Sequence, residues 1–297
     1  MINSTRIKRE TLGLGYGFVG VLGFSLTLPA TRAAVADLNP IVVGLGRAVV
    51  AAVLAMIVLW ATRQPLPKRK YWRSLIIVAA GVIFGFPLLS AWAMQQLPAS
   101  HGAIIIGLIP LATAITATVR VGERPSAKFW LASIVGSLAV VLFTFVSGSG
   151  EIQVADVTLL GAVVAAAISY AEGGYLAQIM GGWQVICWAL VIASPVLVFP
   201  VAIAIFQHGL IASPTAWLGF GYVSIISQFV AFFAWYHGMA IGGIARVSQM
   251  QLLQPFLTIM FSALLLGEQI TPIMFIAAGV VIASVAFGKN ALIKRNP

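Results

Sequence analysis

Charge is what this chain lacks most. Only 8% of its 297 residues are Asp, Glu, Lys or Arg, and 7 of them are acidic. A soluble domain needs a polar exterior that so few charges cannot supply. The single cysteine, Cys187, excludes an intramolecular disulfide and points to no thiolate metal cluster. No His-rich or paired-carboxylate constellation lies within the apolar stretches, so neither a metal, a cofactor nor a catalytic dyad is expected. A membrane-embedded enzyme is therefore disfavoured. Long polar loops are missing too: none exceeds about ten residues, which leaves no room for the soluble output domain of a sensor.

What is present is apolar. Hydrophobic residues make up 61% of the chain, and the mean hydropathy is +1.04. Lipid must be the solvent. Ten apolar stretches have the ~20 residues needed to cross a hydrocarbon core. Their expected spans are Thr11–Thr31, Pro40–Thr62, Trp72–Gln95, Gly102–Val121, Ala127–Val146, Val157–Ala177, Trp183–Ile205, Pro214–His237, Gly243–Leu266 and Pro272–Gly288. They are expected to be helices, because a lipid-exposed backbone must satisfy its hydrogen bonds internally and alternating polarity is absent.

The net charge of +10 reads as topology rather than as nucleic-acid binding. Fifteen of the 17 basic residues fall on one side of the predicted bundle, among them Arg6, Arg63, Lys68, Arg69, Lys70, Arg73, Arg120 and Lys289. The positive-inside rule places that side, and both termini, in the cytoplasm of a cell that carries the protein in its inner (plasma) membrane.

The chain also repeats itself. Pro110 and Gly122-Glu123 return 145 residues later as Pro255 and Gly267-Glu268, and the same offset pairs Phe84 with Phe229, Met94 with Met239 and Thr113 with Thr258. A gapless series of this length is an internal duplication. The two units are residues 11–146 and 157–288, joined by a linker over 147–156 that includes Ser147-Gly148-Ser149-Gly150. Five helices per unit is an odd number, so the second unit must stand inverted. Inverted repeats favour a central cavity near the midplane and alternating access around it. Gly122-Glu123 is then expected at the cytoplasmic face and Gly267-Glu268 at the outer one.

The five-helix repeat, the Pro…Gly-Glu spacing in both halves and Arg47 early in the second stretch resemble the EamA family of the drug/metabolite transporter superfamily. Within it the chain looks most like the YddG-type exporters of aromatic and other neutral amino acids. The resemblance implies an all-α transporter, not an enzyme, whose peripheral fifth and tenth helices flank a central cavity. It also implies outward movement of the substrate and a structural, gating role for Arg47. The second half carries no basic residue matching Arg47.

Several residues are candidate site groups. Pro110 and Pro255 each remove a helical hydrogen bond near mid-membrane and suit a gate element. Gln228, Trp235 and Tyr236 share one stretch; Ser248, Gln251 and Gln254, spaced by three, share a face of the next. Trp92 and Gln95 are their counterparts in the first half. Uncharged donors and acceptors inside a bilayer are costly unless a partner meets them. Amides with aromatic rings suit a neutral zwitterion, and nearly as well a sugar; interhelical packing is the alternative. The remaining alternative substrates are a nucleoside, another metabolite or a cationic drug. Arg47 suits either a carboxylate or a helix tie. Glu172 suits an ammonium or a proton, or else pairs with a nearby basic residue. Gly15-Tyr16-Gly17-Phe18-Val19-Gly20 matches a nucleotide fingerprint without the strand that motif needs, so Gly13, Gly17 and Gly20 read as helix-packing positions. The expected partners are a small molecule and lipid, and a monomer is compatible with the scheme.

Overall fold

In the computed structural model, residues 2–121 and 152–289 are described, together with ten positions between 127 and 146. Every described element is helical, and eight helices are long and apolar enough to cross a membrane. They are α1 (Thr11–Val35), α2 (Val42–Ala61), α3 (Arg69–Gln96), α4 (Ala99–Arg120), α5 (Val154–Met180), α6 (Gly182–His208), α7 (Pro214–Gly242) and α8 (Arg246–Leu266). A ninth helix, α9, covers Pro272–Lys289. The expected stretch at 127–146 is described at those ten positions only, all helical and mostly exposed. Gly122-Glu123 and the Ser147–Gly150 run lie outside the described residues.

Local chemistry sets the ends. Pro214 at the first turn and the Ser213 hydroxyl, which accepts from the Ala216 amide, start α7. A capping box joins Gln153 and Asp156 at the start of α5. One residue, Gly181, separates α5 from α6. It does so at φ +98, which a side chain would strain.

Short connections force consecutive helices to alternate in direction. One face of the bundle collects residues 36–41, 97–98, 209–213 and 267–271; the other collects 62–68, 181 and 243–245. Three cross-links tie the first face together. Glu268 accepts from the Ala99 and Ser100 amides (2.8 and 2.9 Å) and pairs with Arg32 (3.3 Å). His101 meets Asp156 at 2.8 Å, and Asp37 accepts from the Ser213 amide at 2.9 Å. On the second face Arg120 pairs with Glu172. His101 and Asp156 open α4 and α5, whereas Arg120 and Glu172 lie toward their far ends, so these two helices run parallel.

Asp37 lies in the loop after α1, where hydrogen bonds from Ser213, its hydroxyl first and then its backbone amide, hold the carboxyl below its ordinary value. A lowered folded value means the link is at full strength above the ordinary carboxylate range, near pH 4, and fades as pH falls through the lowered one. Hydrogen exchange in residues 209–216, corrected for intrinsic chemistry, should therefore accelerate at acid pH. Asp37→Asn should remove that pH dependence.

Packing uses the glycines where backbones touch. A Cβ on Gly13 would sit 2.5 Å from Gly242 Cα, and one on Gly20 would sit 3.2 Å from Trp235 Cα. One on Gly17 would meet the Val247 side chain at 2.7 Å. Gly15, by contrast, faces open space. The glycine-rich start of α1 is thus a contact surface for α7 and the start of α8. α3 approaches α5 as closely: a Cβ on Gly81 would lie 2.2 Å from the Ala165 carbonyl oxygen. α4 and α8 cross where each is interrupted, at Gly107-Leu108 before Pro110 and in the tight Gln249–Leu253 turn before Pro255. Gly107 lets Pro255 in, since a Cβ there would lie 3.1 Å from Pro255 Cγ. Each proline therefore opens a new helical segment just past a break rather than bending a continuous helix.

Candidate substrate site

The centre of the bundle holds polar groups that irregular helix turns make room for. Three stretches wind as π-helix: Val42–Gly46 in α2, Ala79–Gly85 in α3 and Tyr222–Val230 in α7. Such turns free carbonyls from the ordinary ladder and often occur at functional sites. Gln228 Nε2 donates to the Val82 carbonyl at 3.0 Å, joining two of these stretches. The stretch in α2 ends immediately before Arg47, and Gly44 lets α2 lie against the backbone at Pro87 and Leu88.

α1 contributes its own break. Pro29 has no N–H to offer the Ser25 carbonyl one turn earlier; the Thr258 hydroxyl supplies the missing donor at 2.7 Å. Gln254 Nε2 reaches the Phe24 carbonyl at 3.5 Å, and the Tyr222 hydroxyl reaches that of Gly23 at 2.9 Å. Thr27 and Ser227 hydroxyls meet at 2.8 Å.

Around these groups stands an aromatic wall. Phe24 lies edge-on to Phe232 at 5.0 Å and stacks on Tyr170 at 6.3 Å; Tyr170 meets Trp235 at 5.5 Å. Between wall and amides is a narrow cavity with about 10 Å³ of free room, that of a single water. Arg47, Tyr170, Ser227 and Gln254 border it. Arg47 is the only charged residue among its described lining, and it is 2% exposed. Tyr170 is its polar neighbour and also faces Gln251. Several buried atoms in this region have no hydrogen-bond partner, among them Arg47 Nε and Nη1, Gln228 Oε1 and Trp235 Nε1.

Most of the residues singled out from sequence converge here. Arg47 and Gln254 line the cavity, Gln251 and Trp235 stand behind Tyr170, and Gln228 spans α7 and α3. Ser248 is fully buried in the same helix as Gln251. Tyr236 sits one turn toward the second face, its hydroxyl 3.5 Å from the Ser169 carbonyl. Pro255 and Pro110 mark the crossing of α8 and α4 beside the cavity. Gln95 is exposed and Trp92 half-buried near the end of α3, neither against the cavity. Glu172 is buried away from it and held by Arg120, whose guanidinium lies 4.7 Å over the Tyr175 ring. Arg73, Ser74, Arg120 and Glu172 border a separate cleft of about 370 Å³ open at the second face. Among the described residues no group of three His, Cys, Asp or Glu converges as metal ligands would.

Sequence reasoning passed over Phe24, Thr27, Tyr170 as a wall residue, Ser227 and Phe232. Phe232 was within reach, since it falls four after Gln228 and three before Trp235, on one helical face. Phe24 and Thr27 carry no such mark, because a break separates them.

The model of a family described as the EamA-like transporter family matches residues 11–145 and again 153–287. The "Uncharacterized transporter YdeK" of Bacillus subtilis (strain 168) is 41% identical over 272 residues, spanning 89% of this chain and 92% of its own. A "Probable terminal-alkyne amino-acid exporter" of Streptantibioticus cattleyicolor is 24% identical over 276 residues, 89% of either chain. One crystal structure superposes with a TM-score of 0.69 over 95% of this chain and 99% of its own; at 16% identity it shows a common fold.

Proposed function

Because the chain belongs to the EamA-like transporter family, and so moves small molecules across a membrane, we propose that it exports neutral amino acids by alternating access between two inverted halves. The observation that supports the substrate class is the small central cavity, which the rings of Phe24, Tyr170 and Phe232 line together with the Gln254 amide. Rings take up an apolar side chain, and an amide oxygen accepts from an ammonium. The distant relative named as an amino-acid exporter supports the same class.

Three observations support the inverted halves. The family model matches twice in tandem. α4 and α5 run parallel, so the chain between them must recross, and the helical positions at 127–146 suit a crossing that would make ten in all. The packing is also reciprocal: α1 lies along α7 as α3 lies along α5, and α4 crosses α8 at matched breaks. In this reading Arg32–Glu268 and His101–Asp156 close the outer face and Arg120–Glu172 the cytoplasmic one, with the central cavity between them. Arg63, Lys68, Arg69, Lys70 and Arg73 support a cytoplasmic assignment for the second face.

The test is counterflow in proteoliposomes against labelled neutral amino acids, sugars and cationic drugs. Leucine and phenylalanine should exchange well above protein-free vesicles, with sugars and drugs at background. Exchange of a sugar or a cationic drug, with amino acids at background, would overturn the substrate class.

A further inference from the structure

We infer that the Arg47 guanidinium is the anchor for a substrate carboxylate, so that the cavity selects carboxylates over otherwise identical amides and amines. This names the selective group of the site proposed above and rests on that reading for the rest of the ligand.

A charge at this depth is costly unless something offsets it. Buried arginines ordinarily spend their planar fork of donors on carboxylates or carbonyls. Arg47 does not: Nε and Nη1 are buried without an acceptor, and no carboxylate lies among the described lining of the cavity. A helix tie would show those donors engaged on a neighbouring helix. Instead the residue borders the same small cavity as Tyr170 and Gln254. Nε shares its edge with Nη2, as in the Arg120–Glu172 pair, so the free Nε and Nη1 of Arg47 offer a carboxylate charge-assisted donors on two different edges. The cavity therefore presents a fixed positive group that its own residues leave unanswered.

The surrounding atoms fit the rest of a zwitterion. Gln254, in the lining, carries an amide oxygen that can accept from an ammonium, and Phe24, Tyr170 and Phe232 offer ring surface for an apolar side chain. A sugar, by contrast, would leave the guanidinium charge uncompensated, and an organic cation would be repelled by it. At about 10 Å³ the cavity holds no amino acid as it stands. Binding must accompany its widening, for which the breaks in α1, α4 and α8 and the π-helical turns supply the compliance.

The experiment uses the full chain purified in detergent and reads ligand-induced thermal stabilisation at graded concentrations. The ligands are phenylalanine, phenylalaninamide, phenethylamine and phenylacetate, with Arg47→Gln and Arg47→Lys beside the wild type. Because Arg47→Gln removes an unpaired buried charge, it should fold, and gel filtration checks that. Phenylalanine should stabilise the wild type, whereas the amide and the amine should not. Arg47→Gln should weaken phenylalanine at least about tenfold, the loss of a charge-assisted pair. Arg47→Lys should fall between, keeping the charge without the fork. If phenylalanine binds Arg47→Gln as it binds the wild type, the inference falls while the amino-acid reading stands. If only phenylacetate binds, and needs Arg47, the inference stands and the amino-acid reading falls. If no carboxylate binds the wild type, or the amide binds as well as the acid, the inference falls.

Discussion

Replacing Glu268 by alanine should loosen the first face and cost about 2–4 kcal/mol, because its carboxylate answers three donors at once. Two of those donors are the amides of Ala99 and Ser100, residues 0% and 1% exposed, so water is poorly placed to take over. The third is Arg32, which also donates to the carbonyls of Met94 and Leu97 and so binds α1 to the end of α3. A negative group at a helix start is further favoured by the backbone dipole of α4. Without it, the link between the 267–271 loop and the start of α4 is gone. The measurable result is a lower melting temperature in detergent. In addition, Thr27→Cys on the cavity wall should react faster with a polar maleimide added at that face. Cys187, fully buried, gives little background. Glu268→Gln should fall between, since an amide oxygen still accepts. Unchanged melting and labelling in Glu268→Ala would remove Glu268 as a closure element.

Gly81→Ala should be comparably damaging. The added methyl would lie 1.9 Å from Ser169 Oγ and 2.2 Å from the Ala165 carbonyl oxygen. Backbone cannot swing aside as a side-chain tip can, so α3 and α5 would have to separate. That separation also stretches the bonds from the Ser169 hydroxyl to the carbonyls of Ile77 and Val78. Overpacking of a tight contact costs about 3 kcal/mol at the upper end of the usual range. The expected outcome is a large loss of monodisperse protein on gel filtration. Gly15→Ala, at a position with nothing within 4 Å of the new methyl, is the matched control and should behave as wild type. Equal yields of the two would show that α3 and α5 do not meet as described.

These two positions differ in how they could be known. The start of α1 could be read in advance as a packing surface, because its glycines recur at helical spacing in one short segment. Gly81 has no such neighbours in sequence. Its importance comes from Ala165 and Ser169, more than eighty residues away. Glu268 stood out as half of a repeated Gly-Glu pair, but its partners Ala99, Ser100 and Arg32 belong to distant segments. The candidate site divides in the same way. Gln251 and Gln254 could be assigned a common face from their spacing alone. That Gln251 stands behind Tyr170, that Gln95 points out, and that Glu172 goes to Arg120 are facts of helix rotation and crossing.

By itself the sequence determined the solvent and the secondary structure. A chain this apolar must live in lipid, lipid admits only backbone that bonds to itself, and hydropathy read over twenty residues then places the eight described spanning helices to within a few positions. Those are local properties, settled by neighbours along the chain. Which polar groups share the centre was decided by tertiary structure alone. A π-helical turn inserts a residue and rotates everything beyond it, and a break before a proline redirects half a helix. Neither leaves a periodic trace. Arg47 shows the difference: its place in an apolar stretch was plain from the start. That its donors are left without partners beside a central cavity follows only from how α1, α3, α5, α7 and α8 pack around it.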